Sequence, residues 1–249
     1  MESKILVSHL YGHRYMRLYL RDHADLAELH SAAEQCDYVF AYSRVDFGEI
    51  EGFTRVPKQS QVVSLDGTPE QIFAGLGQRS RQEIRKTYRD SGLRIVVDDS
   101  YRDESYRFYS EVKEQERASP DVEQDFDSVR WINAYMENSL VSVNSIYTNR
   151  KVLRGKHIAS LRKQSGLDPA LIGRINRRLL WEACALGIAE GRAEFDMGGV
   201  DFNDPAKRGI SEFKRRFGGG TVDIYVYRYA SPAWSVVAQR AGTCGKEVF

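Results

Sequence analysis

The chain has 249 residues, with 36 Lys+Arg against 35 Asp+Glu and a formal net charge of +1. No global field therefore draws it to nucleic acid or to a membrane surface, and an anionic ligand has to be met by a local patch. Hydrophobic residues make up 42% and charged residues 29%, the composition of a globular protein with an ordinary buried core.

The N-terminus has no basic region followed by an apolar run, and no segment approaches the ~20 apolar residues of a membrane span, so neither signal peptide, anchor nor membrane insertion is expected. Tyr15–Leu20 reads as a strand, Ala24–Gln35 as a helix with Leu26, Leu29, Ala32 and Ala33 on one face, and Tyr38–Val45 and Gln61–Leu65 as further strands. Thr68 suits the cap of a short helix through Leu76, and Arg79–Ser91 reads as a polar helix stopped by Gly92. Residues 1–78 are thus expected as one small α/β unit and 79–249 as a second.

In the second unit the spacing predicts strand Leu93–Val97, helix Asp103–Gln115, a break at Ser119-Pro120 and helix Ser128–Asn138. Strands Val141–Thr148 and Val152–Leu161, or on to Gln164, precede the loop Gly166-Leu167-Asp168-Pro169. A long helix Gly173–Glu190 follows, with Ile175, Leu179, Leu180, Ala183, Leu186 and Ile188 on its apolar face. Strand Ala193–Met197, a Gly198-Gly199 break, helix Pro205–Arg216, a triple-glycine stop and strand Thr221–Tyr229 complete the order.

Cys36, Cys184 and Cys244 are widely spaced, with no CxxC pair. That is poor spacing for zinc and an odd number for disulfides, which fits a reducing cytoplasm. The five histidines show no ligand spacing either, so no metal is expected; His157 reads as an ordinary strand residue. The chain contains neither GxSxG nor GxxxxGK[ST], which argues against hydrolase-elbow and P-loop chemistry.

IGRINRRLLWEACALGIAEGRAEFDMGGVDF (172–202) followed by GISEFKRRFGGG (209–220) resembles the Fem-type pattern of a Leu-Leu-Trp helix, a strand ending in Gly-Gly and an FKxxFGG segment. RQEIRKTYRDSGLRI (81–95) is similar to the basic helix before the catalytic half of the same group. The chain thus resembles the GNAT acyltransferase superfamily, in its Fem-type peptidoglycan-bridge branch, over roughly residues 78–230. The resemblance implies an α/β (α+β) GNAT fold with a mixed, mostly antiparallel twisted sheet flanked by helices. It further implies a truncated GNAT-like half ahead of one complete GNAT domain.

The implied donor is acetyl-CoA or another acyl-CoA. In ordinary GNAT enzymes R/Q-x-x-G-x-G/A holds the coenzyme; here Ile172-Gly173-Arg174-Ile175-Asn176-Arg177 carries one glycine where two small residues are usual. A helix start at Gly173 would expose backbone amides to a pyrophosphate, with Arg174, Arg177 and Arg178 adding charge. The same residues also suit a plain helix start with solvated arginines. In the Fem-type pattern the Lys of the FK pair, here Lys214, is essential, and an ammonium there would stabilise an oxyanion or a departing thiolate. Phe213 and Phe217, at i and i+4, read as core. Asp196 and Asp201 are candidates to deprotonate an acceptor amine; Asp204, before Pro205, reads as a helix cap.

The function implied is N-acyl transfer to the primary amine of a small acceptor, with a nucleotide-linked amino sugar first in order and no DNA partner. The chain is shorter than two full GNAT domains plus a helical arm, which favours acyl-CoA over an aminoacyl-tRNA donor; tRNA is a partner only under that alternative. A third reading is a noncatalytic GNAT-like binding subunit. The sequence does not set the oligomeric state.

Overall fold

A computed structural model describes residues 3–10, 12–163 and 166–240; Cys244 and Gln164 lie outside them. The chain forms two compact units that are interleaved in sequence. The first comprises Met1–Gln59, Asp121–Ser128 and Asp223–Phe249, the second Ser60–Pro120 and Val129–Val222. The expected boundary at residue 78 instead divides the chain into two consecutive stretches.

In the first unit β1 (Lys4–Leu10) pairs antiparallel with β2 (His13–Leu20). β2 lies parallel to β3 (Tyr38–Ser43), from Tyr15↔Tyr38 to Leu20↔Ser43, through the crossover helix α1 (Leu26–Gln35). The later part of β10 (Gly220–Ala230) runs antiparallel to β3. Met16, Leu18, Leu20, Leu29, Ala32, Val39 and Ala41 form the core. They alternate on the strands and recur at three-residue spacing on α1, which is why these elements were legible.

The second unit orders its strands β4-β9-β8-β7-β6-β5, with β4 (Phe53–Ser64), of which Ser60–Ser64 belong to this unit, β5 (Leu93–Val97), β6 (Arg130–Met136), β7 (Ser139–Thr148), β8 (Val152–Ser160) and β9 (Glu194–Val200). β5 through β8 are antiparallel neighbours, while β8 and β9 are parallel. The helices are α2 (Pro69–Gly75), α3 (Gln78–Thr87), α4 (Arg102–Gln115), α5 (Pro169–Ala189) and α6 (Pro205–Phe217). On α5, Ile172, Ile175, Leu179, Leu180 and Ala183 pack into a core with Val63, Ile132, Leu153 and Phe195. Thr68 caps α2, accepting from the Gln71 amide, as expected.

Three expectations are corrected. Ser128–Asn138 is not helical: Arg130–Met136 is a strand paired on both sides, and Glu137 and Asn138 turn the hairpin at φ 48° and 69°. Val129, Ile132 and Met136 imitate a helical period, but the Trp-Ile-Asn-Ala-Tyr run fits a pleated surface better. α5 begins at Pro169, four residues before Gly173, because Asp168 caps it through the Ala170 amide and Pro169 takes the first helical position. β9 runs through Gly198-Gly199 instead of breaking there.

Candidate active site

The parallel ladder between β8 and β9 runs Val152↔Glu194, Leu153↔Phe195 and Arg154↔Asp196 and stops there, although β8 continues to Ser160 and β9 to Val200. Each strand has a local reason to diverge. Against β7 the register of β8 jumps from Ser145↔His157 to Ile146↔Gly155, and a bulge of this kind bends its strand. On β9, Gly198 adopts φ +87°, which only glycine takes without strain. Past Arg154 and Asp196 the facing edges offer backbone groups that the partner strand does not use.

Lys214, in the last turn of α6, reaches this opening. Its Nζ donates to the Gly199 carbonyl at 2.9 Å, and a Cβ placed on Gly198 would stand 3.4 Å from the same nitrogen. An ammonium has three donors, so two remain for a ligand. Asp196, fully buried, forms an ion pair with the buried Arg154 and accepts from the Ser60 hydroxyl and, at 2.7 Å, from the Gly198 amide. Burial pushes the Lys214 pKa down to about 8; the Asp196 carboxylate opposes that shift and the Arg154 guanidinium adds to it. A half-buried cation with spare donors, its basicity lowered by burial and adjusted by the nearby pair, can stabilise a developing oxyanion or protonate a leaving thiolate near neutral pH.

The structure brings Lys214 and Asp196 together but changes the role available to Asp196. Its oxygens already accept from the Ser60 hydroxyl, the Gly198 amide and Arg154, an arrangement that suits holding its neighbours in place and not taking a proton from an amine. Asp201 is separate: its Oδ1 accepts from the amides of Asn203 and Asp204 at 3.0 and 3.1 Å, and its own amide donates to Ser211. It therefore shapes the turn before α6. Asp204 caps α6, as expected, accepting from the Ala206 amide at 2.9 Å.

The five residues expected to hold the donor also separate. Gly173 lies inside α5, so its amide belongs to the helix and not to an open anion site. Ile175 is fully buried in the core. Asn176 ties α5 to the sheet, accepting from Ser142 at 2.8 Å and donating to Ser160 at 3.2 Å. Arg174 pairs with Asp168 and Glu83, and Arg177 lies over the Phe213 ring at 4.9 Å, donating to the Gly173 carbonyl. Sequence reasoning missed Arg154 and Ser60. An arginine between the apolar Leu153 and the glycine of a central strand was the available signal, since a buried guanidinium needs a buried carboxylate; Ser60 gave none. His157 packs on Tyr109, ring centroids 4.9 Å apart. Among the described residues no group of three or more His, Cys, Asp or Glu could hold a metal ion, and no helix is long and apolar enough to cross a membrane.

Solved structures share this architecture. FemX matches with a TM-score of 0.60 at 11% identity, covering 94% of this chain and 85% of that one. The C-terminal (DUF2156) domain of a putative lysylphosphatidylglycerol synthetase from Agrobacterium fabrum matches with a TM-score of 0.54 at 11% identity, covering 97% and 89%. The L-PGS structure from Bacillus licheniformis gives 0.53 at 13%, covering 97% and 88%. The likeness is one of fold. It bears out the expected class of mixed, mostly antiparallel sheet flanked by helices. No protein-family model matches the chain, and no curated protein matches it.

Proposed function

We propose that the second unit transfers an acyl group from acyl-CoA, with acetyl-CoA as the first choice, to the primary amine of a small acceptor such as a nucleotide-linked amino sugar, in a reducing cytoplasm. The observation that carries this reading is the Lys214 ammonium beside the open end of the β8–β9 ladder. In the step, the amine nitrogen attacks the thioester carbonyl, the C–N bond forms, the C–S bond breaks, the amine loses a proton to water and the thiolate takes one up. Lys214 donates to the carbonyl oxygen as charge develops on it, then to the departing sulfur; a pKa near 8 suits that second task. Residues 1–78, as a truncated GNAT-like half, and 79–249, as the complete domain, belong to the same proposal.

A second reading, an aminoacyl group carried on tRNA, is favoured by the start of α5. There Asp168 fills the cap and Pro169 lacks an N–H, so the helix start offers a pyrophosphate less than an open one would. Thermal unfolding with each donor decides. A ligand at about 100 times its Kd stabilises by about 2.7 kcal/mol, roughly 5–10 °C for a protein of this size. Acetyl-CoA is expected to give that rise; a rise with aminoacyl-tRNA alone transfers the assignment to the second reading. No rise with either is the result expected of a noncatalytic subunit, and it would end both.

A further inference from the structure

We propose that two consecutive side chains of β4, Ser60 and Gln61, are positioning residues that fix where the Lys214 ammonium sits, by tying together the strand that receives it and the helix that carries it. Successive side chains of a strand point to opposite faces, and here each face is used. Ser60, fully buried, donates to Asp196 Oδ1, and the same oxygen accepts from the Gly198 amide at 2.7 Å. That amide belongs to the residue at φ +87° just ahead of Gly199, whose carbonyl accepts from Lys214 at 2.9 Å. Gln61, also buried, donates from Nε2 to the Gly218 carbonyl at 2.9 Å, and its Oε1 accepts from the Thr221 hydroxyl at 2.8 Å. Gly218 caps α6, its amide donating to the Lys214 carbonyl. One residue further along each segment, a Cβ on Gly219 would overlap the Val62 carbonyl oxygen, so the glycine lets the end of α6 lie directly on β4.

The last carbonyls of a helix need donors from outside it. Those of Arg216 and Phe217 are met from α3, by the Ser80 hydroxyl and the Gly77 amide, both at 2.9 Å. These bonds fix α6 against α3 and leave its place against β9 open. The Gln61 bond sets that place, because Ser60 holds β9 from the adjoining position of the same strand. Packing does not call for these residue types. Val62, Val63 and Leu65, next along the chain, are buried and apolar, and an apolar side chain at 60 or 61 would fill its space with no polar group to satisfy. A buried hydroxyl or amide costs free energy unless it is bonded. Here the bonds go to the carboxylate that grips Gly198 and to the carbonyl that ends α6, each one step from Lys214.

This inference rests on the reading of Lys214 as the working cation, so its test includes a readout that needs no substrate. Ser60→Ala deletes the hydroxyl, Gln61→Met keeps the stem's length and deletes both amide bonds, and Ser60→Thr keeps the hydroxyl. With acetyl-CoA and hydroxylamine as the amine, the first two should each lower kcat about tenfold or more at an unchanged KM for acetyl-CoA, while Ser60→Thr stays within about threefold. The readout without substrate is the urea midpoint, measured against the same chain carrying Lys214→Met. In the parent it should rise between pH 8 and 10.5, because burial, joined by Arg154 and opposed by Asp196, holds the Lys214 pKa near 8. A Lys214 let go from the Gly199 carbonyl reaches water and its pKa returns toward 10.5, so in Ser60→Ala and Gln61→Met the rise should begin at higher pH and shrink. Should the parent transfer no acyl group, a delayed rise still supports the positioning and the fault lies with the acyl-transfer reading. A parent without the rise, variants whose rise keeps the parent's pH, or variants that match the turnover of an active parent would overturn the proposal.

Discussion

Replacing Lys214 by Met is expected to lower kcat by about 10²–10³ while leaving donor affinity nearly unchanged, as removal of a donor aimed at transition-state charge typically does. Methionine keeps most of the stem's apolar length and deletes the donors, so a chemical loss is separable from a folding one. Stability supplies an independent check. The folded-state pKa near 8 lies below the ordinary 10.5, so between those values the unfolded chain binds more protons and stability rises with pH. Urea midpoints of the parent should climb from pH 8 to 10.5 relative to those of the Met variant. Turnover within about threefold of the parent would reduce Lys214 to a structural charge.

The second large effect concerns the buried pair, and its two members are expected to move the rate profile in opposite directions. If the cationic form of Lys214 works, activity falls as pH rises through about 8. Asp196 raises that pKa and Arg154 lowers it. Asp196→Asn should therefore bring the alkaline limb to lower pH, and Arg154→Met should carry it to higher pH. Each single change strands a buried charge and should cost about 3–5 kcal/mol of stability; the double variant should cost less than the sum. Limbs that stay in place, or move together, would show that the pair does not set the ammonium.

Much of this fold was legible because its core elements are periodic. The alternation in β2 and β3 and the stripe on α1 predict those elements nearly to the residue. The misreadings have physical causes. Residues 128–138 satisfy a helical spacing and a strand composition at once, and only pairing with β5 and β7 decides between them. Glycine chemistry points to a start for α5 at Gly173, but Asp168-Pro169 carries the stronger cap signal. At the site, Lys214 was legible through its resemblance to a known pattern. The role of Asp196 was not: what fixes it are Arg154 and Ser60, 42 and 136 residues away in sequence, a proximity that only the sheet order creates.

The most direct test of acyl transfer at Lys214 avoids the acceptor altogether by using hydroxylamine as a small surrogate amine. It attacks the donor carbonyl, forming an acyl hydroxamate and releasing the thiol of coenzyme A, and both products are measurable in one reaction. With acetyl-CoA the parent is expected to form hydroxamate and thiol in equal amounts and well above the buffer rate, while Lys214→Met stays close to that rate. A parent no faster than buffer, or a Lys214→Met variant as fast as the parent, would contradict the account.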